Sequence, residues 1–398
     1  MKKTLLAVTL LITVVTVFTG SVFAASSSNI TEKPDIKIVL DRVPVECKNV
    51  PIVVNGSTLL PLRELAVILG VPNDDQHIIY EPSNRSVTIL KDSTKITVYI
   101  GKLNAYINDE SKRLDTIPIL YGKKDPLTYI PFKFVAEALG WKVIWDGPSQ
   151  TILLCDPAKF DNVKAIMDNV SAEFIKVNKY KMDIGLSIDA ATEAVSTKMG
   201  ISASSEIDNA NKKMHMLLNM DLLGMKIETD SYYADNASYT LEPFTGGWQK
   251  QVFTKPEYEK LFASESSGLV FKSDDTLCAG LDQVESSNGN EILLKGNVLS
   301  SAVYKAILNG QKLGGDADIT DSVVNGDFTI EISIDKSTYL VNSILITMKS
   351  ESTENDADMA MNMTAEIKYS EYNGSFEVVV PQEAIDNAVE TTKTTKLQ

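Results

Sequence analysis

The sequence predicts an α+β chain: a duplicated N-terminal ββαββ module with antiparallel sheet, then a curved antiparallel half-barrel sheet with a few covering helices. Three observations carry this expectation. Two twelve-residue stretches lie 70 residues apart and match each other. Long runs between residues 180 and 380 alternate apolar and polar side chains with period two. Only about three helical patterns are available to cover the wide apolar face such strands would make.

The first 24 residues read as a cleavable secretory signal. Lys2 and Lys3 form a short positive region, and Leu5 to Phe18 form an apolar run too short for a stable span. Val22-Phe23-Ala24 before Ala25 supplies the small residues at which signal peptidase cuts. No cysteine stands at that site for acylation, so the mature chain is expected to be released, with 25–34 as a linker. No later segment reaches 18 apolar residues, so no integral membrane anchoring is expected.

The repeat occupies residues 35–156, with copies at about 35–92 and 93–156. Leu59-Leu60-Pro61-Leu62-Arg63-Glu64-Leu65-Ala66-Val67-Ile68-Leu69-Gly70 aligns with Tyr129-Ile130-Pro131-Phe132-Lys133-Phe134-Val135-Ala136-Glu137-Ala138-Leu139-Gly140. Each reads as a short helix with proline at its first position and glycine just past its end. Positions 62, 65, 66 and 69, and 132, 135, 136 and 139, share one face that must be buried. Period-two hairpins flank each helix: 36–40 with 43–45 and 96–100 with 103–107 before it, 78–80 with 86–90 and 143–145 with 151–154 after it.

These residues resemble the copper amine oxidase N-terminal-like (stalk) domain. The resemblance is carried by Asn55-Gly56, Leu60-Pro61-Leu62-Arg63, Leu69-Gly70, Ile130-Pro131-Phe132-Lys133, Leu139-Gly140 and Trp145-Asp146. Tyr80-Glu81 replaces Trp-Asp in the first copy and Lys133 replaces arginine in the second. The family occurs as repeats in secreted proteins of Gram-positive bacteria, so the resemblance implies spacing, adhesion or self-association outside the cell. It does not imply copper chemistry: that belongs to a larger domain with three histidine ligands, and this chain has two histidines, His77 and His215.

Residues 158–390 are expected to form the half-barrel, and 391–398 a flexible tail. Ala158 to Tyr180 has helical spacing of Phe160, Val163, Met167, Val170 and Phe174. Strands are predicted at 180–188, 199–203, 214–220, 225–227, 328–334, 343–348, 359–367 and 376–380, with short helices at 255–262 and 299–308. A curved sheet with too few helices leaves an interior that suits an apolar ligand. The order of elements resembles the lipoprotein-carrier (LolA- and LppX-like) fold, which implies a half-barrel sheltering acyl chains. Candidate lining residues are Met182, Ile184, Met214, Met216, Leu218, Met220, Met359, Met361 and Met363, since unbranched thioethers adapt to flexible chains. The bland alternative is an ordinary core with methionine as filler. Copper(I) capture by Met214-His215-Met216 is opposed by strand alternation, which turns His215 away from both methionines.

Three cysteines, Cys47, Cys155 and Cys278, exclude a disulfide framework and leave open one Cys47–Cys155 bridge or small buried hydrophobes. A formal charge of −15 disfavours nucleic acid as a partner. No nucleophile elbow, zincin, redox or phosphate-binding motif occurs. The acids at Asp274-Asp275, Asp316, Asp318, Glu354, Asp356 and Asp358 read as solvated loop charge, and His77 as an exposed loop residue. No catalytic residue, metal site or cofactor is therefore assigned. The sequence points to a secreted, non-catalytic envelope protein that binds a hydrophobic or lipidic ligand and meets a cell-wall or envelope component. The rival is a purely structural or adhesion protein without a small-molecule ligand.

Overall fold

The computed structural model describes residues 30–192, 196–222, 224–262, 273–303, 327–354 and 357–391. The expected signal peptide, Asp316, Asp318, Asp356, most of the 299–308 helix and nearly all of the tail lie outside them. No helix among the described residues is long and apolar enough to cross a membrane.

The N-terminal elements are β1 (Ile30–Glu32), β2 (Lys37–Leu40), β3 (Val43–Val45), β4 (Ile52–Val54), β5 (Ser57–Pro61), α1 (Leu62–Ile68), β6 (Ile78–Glu81) and β7 (Ser86–Lys91). They continue with β8 (Thr94–Tyr99), β9 (Asn104–Ile107), β10 (Glu110–Arg113), β11 (Ile119–Tyr121), β12 (Leu127–Pro131), α2 (Phe132–Ala138), β13 (Lys142–Asp146) and β14 (Thr151–Cys155). Both predicted helices form. Leu62, Leu65, Ala66, Phe132, Val135 and Ala136 are buried, and Gly70 and Gly140 take φ of 83° and 87° just past the helix ends. Pro61 sits one position earlier than expected, as the N-cap with extended backbone.

Each copy holds one more hairpin than ββαββ. Strands β4 and β5 turn at Asn55-Gly56, both with positive φ, and β11 and β12 pair likewise in the second copy. The central strands of the first sheet, ordered β1-β4-β5-β12-β11, join the copies. Leu60 pairs with its own counterpart Ile130, and Pro61 with Tyr129 as Leu59 with Pro131. That register is symmetric under exchange of the copies, which relates β5 and β12 by a local two-fold axis.

The outer hairpins are exchanged. Strands β8 and β9 of the second copy join β7 and β6 of the first, in the order β10-β9-β8-β7-β6. Strands β2 and β3 of the first copy join β14 and β13 of the second, β2 lying parallel to β14. The chain accordingly divides into two compact units, one holding residues up to 34 and 47–138, the other 35–46 and 139–398. The units cut across the expected boundary near 157 because β2, β3, β13 and β14 complete a sheet of the second unit.

That unit adds α3 (Pro157–Phe174), β15 (Lys179–Thr192), β16 (Ser196–Asp208), β17 (Lys213–Leu222), β18 (Met225–Ala234), β19 (Ala237–Leu241), β20 (Trp248–Val252), α4 (Lys255–Leu261) and α5 (Asp275–Gly280). It ends with β21 (Asp282–Val284), β22 (Glu291–Val298), β23 (Asp327–Asp335), β24 (Val341–Glu354), β25 (Ala357–Ser370), α6 (Gln382–Asn387) and β26 (Val389–Glu390). Twelve strands form one sheet in the order β21-β22-β23-β24-β25-β15-β16-β17-β18-β19-β20-β26, a strand-rich half-barrel with few helices. Three expectations are corrected. The long helix stops at Phe174, and Tyr180, fully buried, already belongs to β15. Residues 376–380 form no strand, although Val378 is buried. Asp274 is not solvated loop charge: it caps α5 by accepting from Thr276 N at 2.9 Å and Leu277 N at 3.1 Å.

The main core lies where α3 and α5 meet the strands, around Val163, Met167, Leu277, Leu294, Ile330, Ile332, Ile344 and Ile346. Asp146 of the Trp-Asp pair, 1% exposed, accepts from Ser149 Oγ at 2.6 Å and Ser301 Oγ at 2.8 Å. It ties the end of β13 to the residues after β22.

Candidate functional site

Antiparallel register decides which side chains share a face. Met182 pairs with Ser205 and Tyr369, Ile184 with Ala203 and Ile367, and Leu186 with Ile201 and Ala365. Across β16, β17 and β18 the rows run Ser205–Met216–Ser231, Ala203–Leu218–Thr229 and Ile201–Met220–Ile227. Ile207 pairs with Met214, Ile188 with Met363, and Ala190 with Met361. Directly paired residues project to the same side of a sheet, so Met182, Ile184, Met214, Met216, Leu218, Met220, Met361 and Met363 share one face. Met359 takes the next position of that row, opposite Thr192.

This face is not uniformly packed. Met182, Ile184, Met214, Met361 and Met363 are half-buried and lean on the main core. Met216, Leu218 and Met220, also half-buried, extend the face over β17. By contrast Ile330, Ile332, Ile344 and Ile346 on the same sheet are at most 2% exposed. The apolar surface thus runs from a closed core under α3 and α5 to a half-exposed stretch over β15–β18.

Every charged residue of β15–β18 falls on the opposite face. Lys181 bridges Glu206 at 3.1 Å and Glu371 at 3.0 Å. His215 Nε2 lies 2.7 Å from Asp230 Oδ1, with its ring stacked on Tyr232 at 4.3 Å. Burial, reinforced by the Asp230 carboxylate, pushes the Tyr232 phenol up to about 12. His215 therefore faces carboxylates and an aromatic ring, while Met214 and Met216 occupy the other face. Among the described residues no group of three or more His, Cys, Asp or Glu is placed to hold a metal.

The polar face also carries a groove of about 630 Å³ that the sequence did not signal. Its walls include Ser187, Ser202, Asp221 and Glu366, and Gly185 and Gly200 leave backbone exposed in its floor. Only the register, which brings two glycines on adjacent strands close together, creates it.

The cysteines are free thiols. Burial pushes Cys155 up to about 11 and Cys278 up to about 12, and burial with the nearby Glu64 raises Cys47 to about 11. None is a poised nucleophile. His77, expected to be exposed, is half-buried, and its Nδ1 lies 2.8 Å from Asp74 Oδ1.

Residues 39–154 match the family model of the copper amine oxidase N-terminal domain, which matches again over 123–205. Residues 287–389 match a family of unknown function, DUF6612. No curated protein matches the chain. Among solved structures, the Mycobacterium tuberculosis lipoprotein LppX is 12% identical, with a TM-score of 0.29, the match covering 55% of this chain and 99% of that one. A DUF1329 family protein from Desulfovibrio piger is 10% identical, with a TM-score of 0.20 and coverage of 54% and 95%. A LolA superfamily protein from Nitrosomonas europaea is 7% identical, with a TM-score of 0.17 and coverage of 56% and 96%. Over residues 39–205 the chain is thus similar to the copper amine oxidase N-terminal domain, and over 287–389 to DUF6612.

Proposed function

We propose that this is a secreted, non-catalytic cell-envelope protein whose second unit binds a hydrophobic or lipidic ligand, with its N-terminal repeats serving as a stalk or adhesion module. One observation carries the reading: the apolar face over β15–β18 is continuous, free of charge within those strands and only half-buried. A surface of that kind is stabilised by covering it with apolar matter, at roughly 25 cal/mol per Å² removed from water. Methionine supplies the adaptable part of the face, as a ligand with flexible chains requires. The stalk role is supported by the family match at the N-terminal end and by the absence of a three-histidine copper set from a chain with two histidines.

The test is native mass spectrometry of the protein purified from its own host, followed by solvent extraction. An apolar molecule should co-purify, and Met216→Asp, which places a charge on the half-buried face, should reduce its retention at least tenfold. A preparation that carries no apolar molecule and takes up no acyl probe would sink the reading and leave the purely structural or adhesion role.

A further inference from the structure

The apolar face has a polar end. Ser205, Ser231 and Ser238 are 6%, 4% and 6% exposed, and all three lie on the methionine side of the sheet. Register shows this directly: Met182 pairs with Ser205, Met216 with both Ser205 and Ser231, and Tyr233 with Ser238. Ser231 pairs in turn with Thr240, to whose Oγ1 its hydroxyl donates at 3.2 Å. Tyr369, the other neighbour of Met182, has a buried hydroxyl with no hydrogen-bond partner among the described residues. Tyr369 itself belongs to the core, its ring against Phe174, Tyr180 and Tyr372. Buried hydroxyls are costly unless bonded, so an unpartnered one where the half-buried methionine face meets that core marks a place for an incoming donor or acceptor.

Moving along the strands away from this row, the same face holds Ile184, Ala203 and Leu218, then Leu186, Ile201 and Met220, then Ile188, Met199 and Met363. The serine hydroxyls stand beside Met182, Met214 and Met216 at one end. Those rows beyond carry hydrocarbon and thioether with one hydroxyl, Thr229, which is already bonded to Leu241 O at 2.7 Å. The charged residues of β15–β18 all lie on the opposite face, so a carboxylate or phosphate brought to the hydroxyl row would be desolvated with no counter-charge from these strands.

We propose that the row formed by Tyr369, Ser205, Ser231 and Thr240 receives the head of an uncharged amphiphile, a hydroxyl- or ester-bearing lipid, while its chain lies over the methionine rows. The inference rests on the apolar-face reading above and adds the polarity and orientation of the ligand. Hydroxyl side chains both donate and accept, which suits a neutral head carrying alcohol and ester oxygens.

Binding of monoolein, oleate and octadecene to the full mature chain separates the outcomes, measured at about pH 8, where a free carboxylate is ionised. Monoolein should bind at least tenfold more tightly than either of the others. Ser231→Ala and Tyr369→Phe should each reduce that preference by about fivefold, the worth of one hydrogen bond, while leaving octadecene unchanged. Ser231→Thr should restore it. Equal binding of monoolein and oleate, or a preference that survives both hydroxyl deletions, overturns the head-group assignment and leaves the apolar site intact. Failure of all three probes to bind overturns the site itself.

Discussion

Asp208, 3% exposed at the end of β16 opposite Lys179 of β15, shows how a single charged residue is kept on the charged face of the sheet. Burial alone pushes its carboxyl up, but Asn211, bonding through backbone N at 2.9 Å and Nδ2 at 2.8 Å, and the Lys179 ammonium at 3.0 Å outweigh that and hold it below the ordinary range. A depressed folded value contributes stability above the unfolded value, near about 3.9, and loses it as pH falls through the folded one. Denaturant midpoints should therefore stay flat from neutrality to about pH 5 and fall below about pH 4. Asp208→Asn should flatten that acid limb and lower stability at neutrality by about 1–3 kcal/mol. An unchanged acid limb would refute the assignment. Gly296 and Gly280 illustrate contact without charge. A Cβ on Gly280 would lie 2.6 Å from Asn297 O, and one on Gly296 would overlap the Gly280 carbonyl. Gly296→Ala should destabilise by about 3 kcal/mol in thermal or denaturant unfolding, at the upper end of overpacking costs. Gly289→Ala, with open space around it, should stay within about 0.5 kcal/mol.

At the scale of elements, the exchanged hairpin β2–β3 is the feature with the clearest consequence. Asp41 and Arg42 both take positive φ in its two-residue turn, as the right-handed twist of paired strands favours. Ile38 is 2% exposed and pairs with Ile152, while Val39 packs on the main core of the second unit. A hairpin more than 90 residues before β13 is thus part of that strand's sheet. Ile38→Ala should cost about 2–4 kcal/mol and raise amide exchange in β13 and β14, while β7 and β8 keep their protection. Uniform loss across both sets, or no loss in β14, would contradict the exchange. Helices α1 and α2 were legible because proline, glycine and the spacing of apolar residues agree within a few residues. Helix α5 was not, because Asp274-Asp275 reads equally as a cap or as a solvated turn, and only the packing of Leu277 and Cys278, both fully buried, decides between them.

For the molecule as a whole, the alternation from Lys181 to Ile188 and from Met214 to Met220 already separates a charged face from a methionine face, since successive side chains in a strand point to opposite sides. The duplication, the strand-rich second half and the sharing of one face by its methionines were likewise legible, because each depends on residues close in sequence. Three things were not. The exchange of hairpins between copies, the place of Ser205, Ser231 and Tyr369 at one end of the apolar face, and the groove over Gly185 and Gly200 all depend on which strand lies beside which, and in what register. A serine within an alternating run looks the same whether its neighbour is methionine or lysine. The sequence by itself determined the two repeat helices, most of the long strands and the amphipathic faces of those strands. Only the tertiary structure decided which strands distant in sequence lie side by side, because that pairing is fixed by long-range burial and register, and no local pattern encodes it.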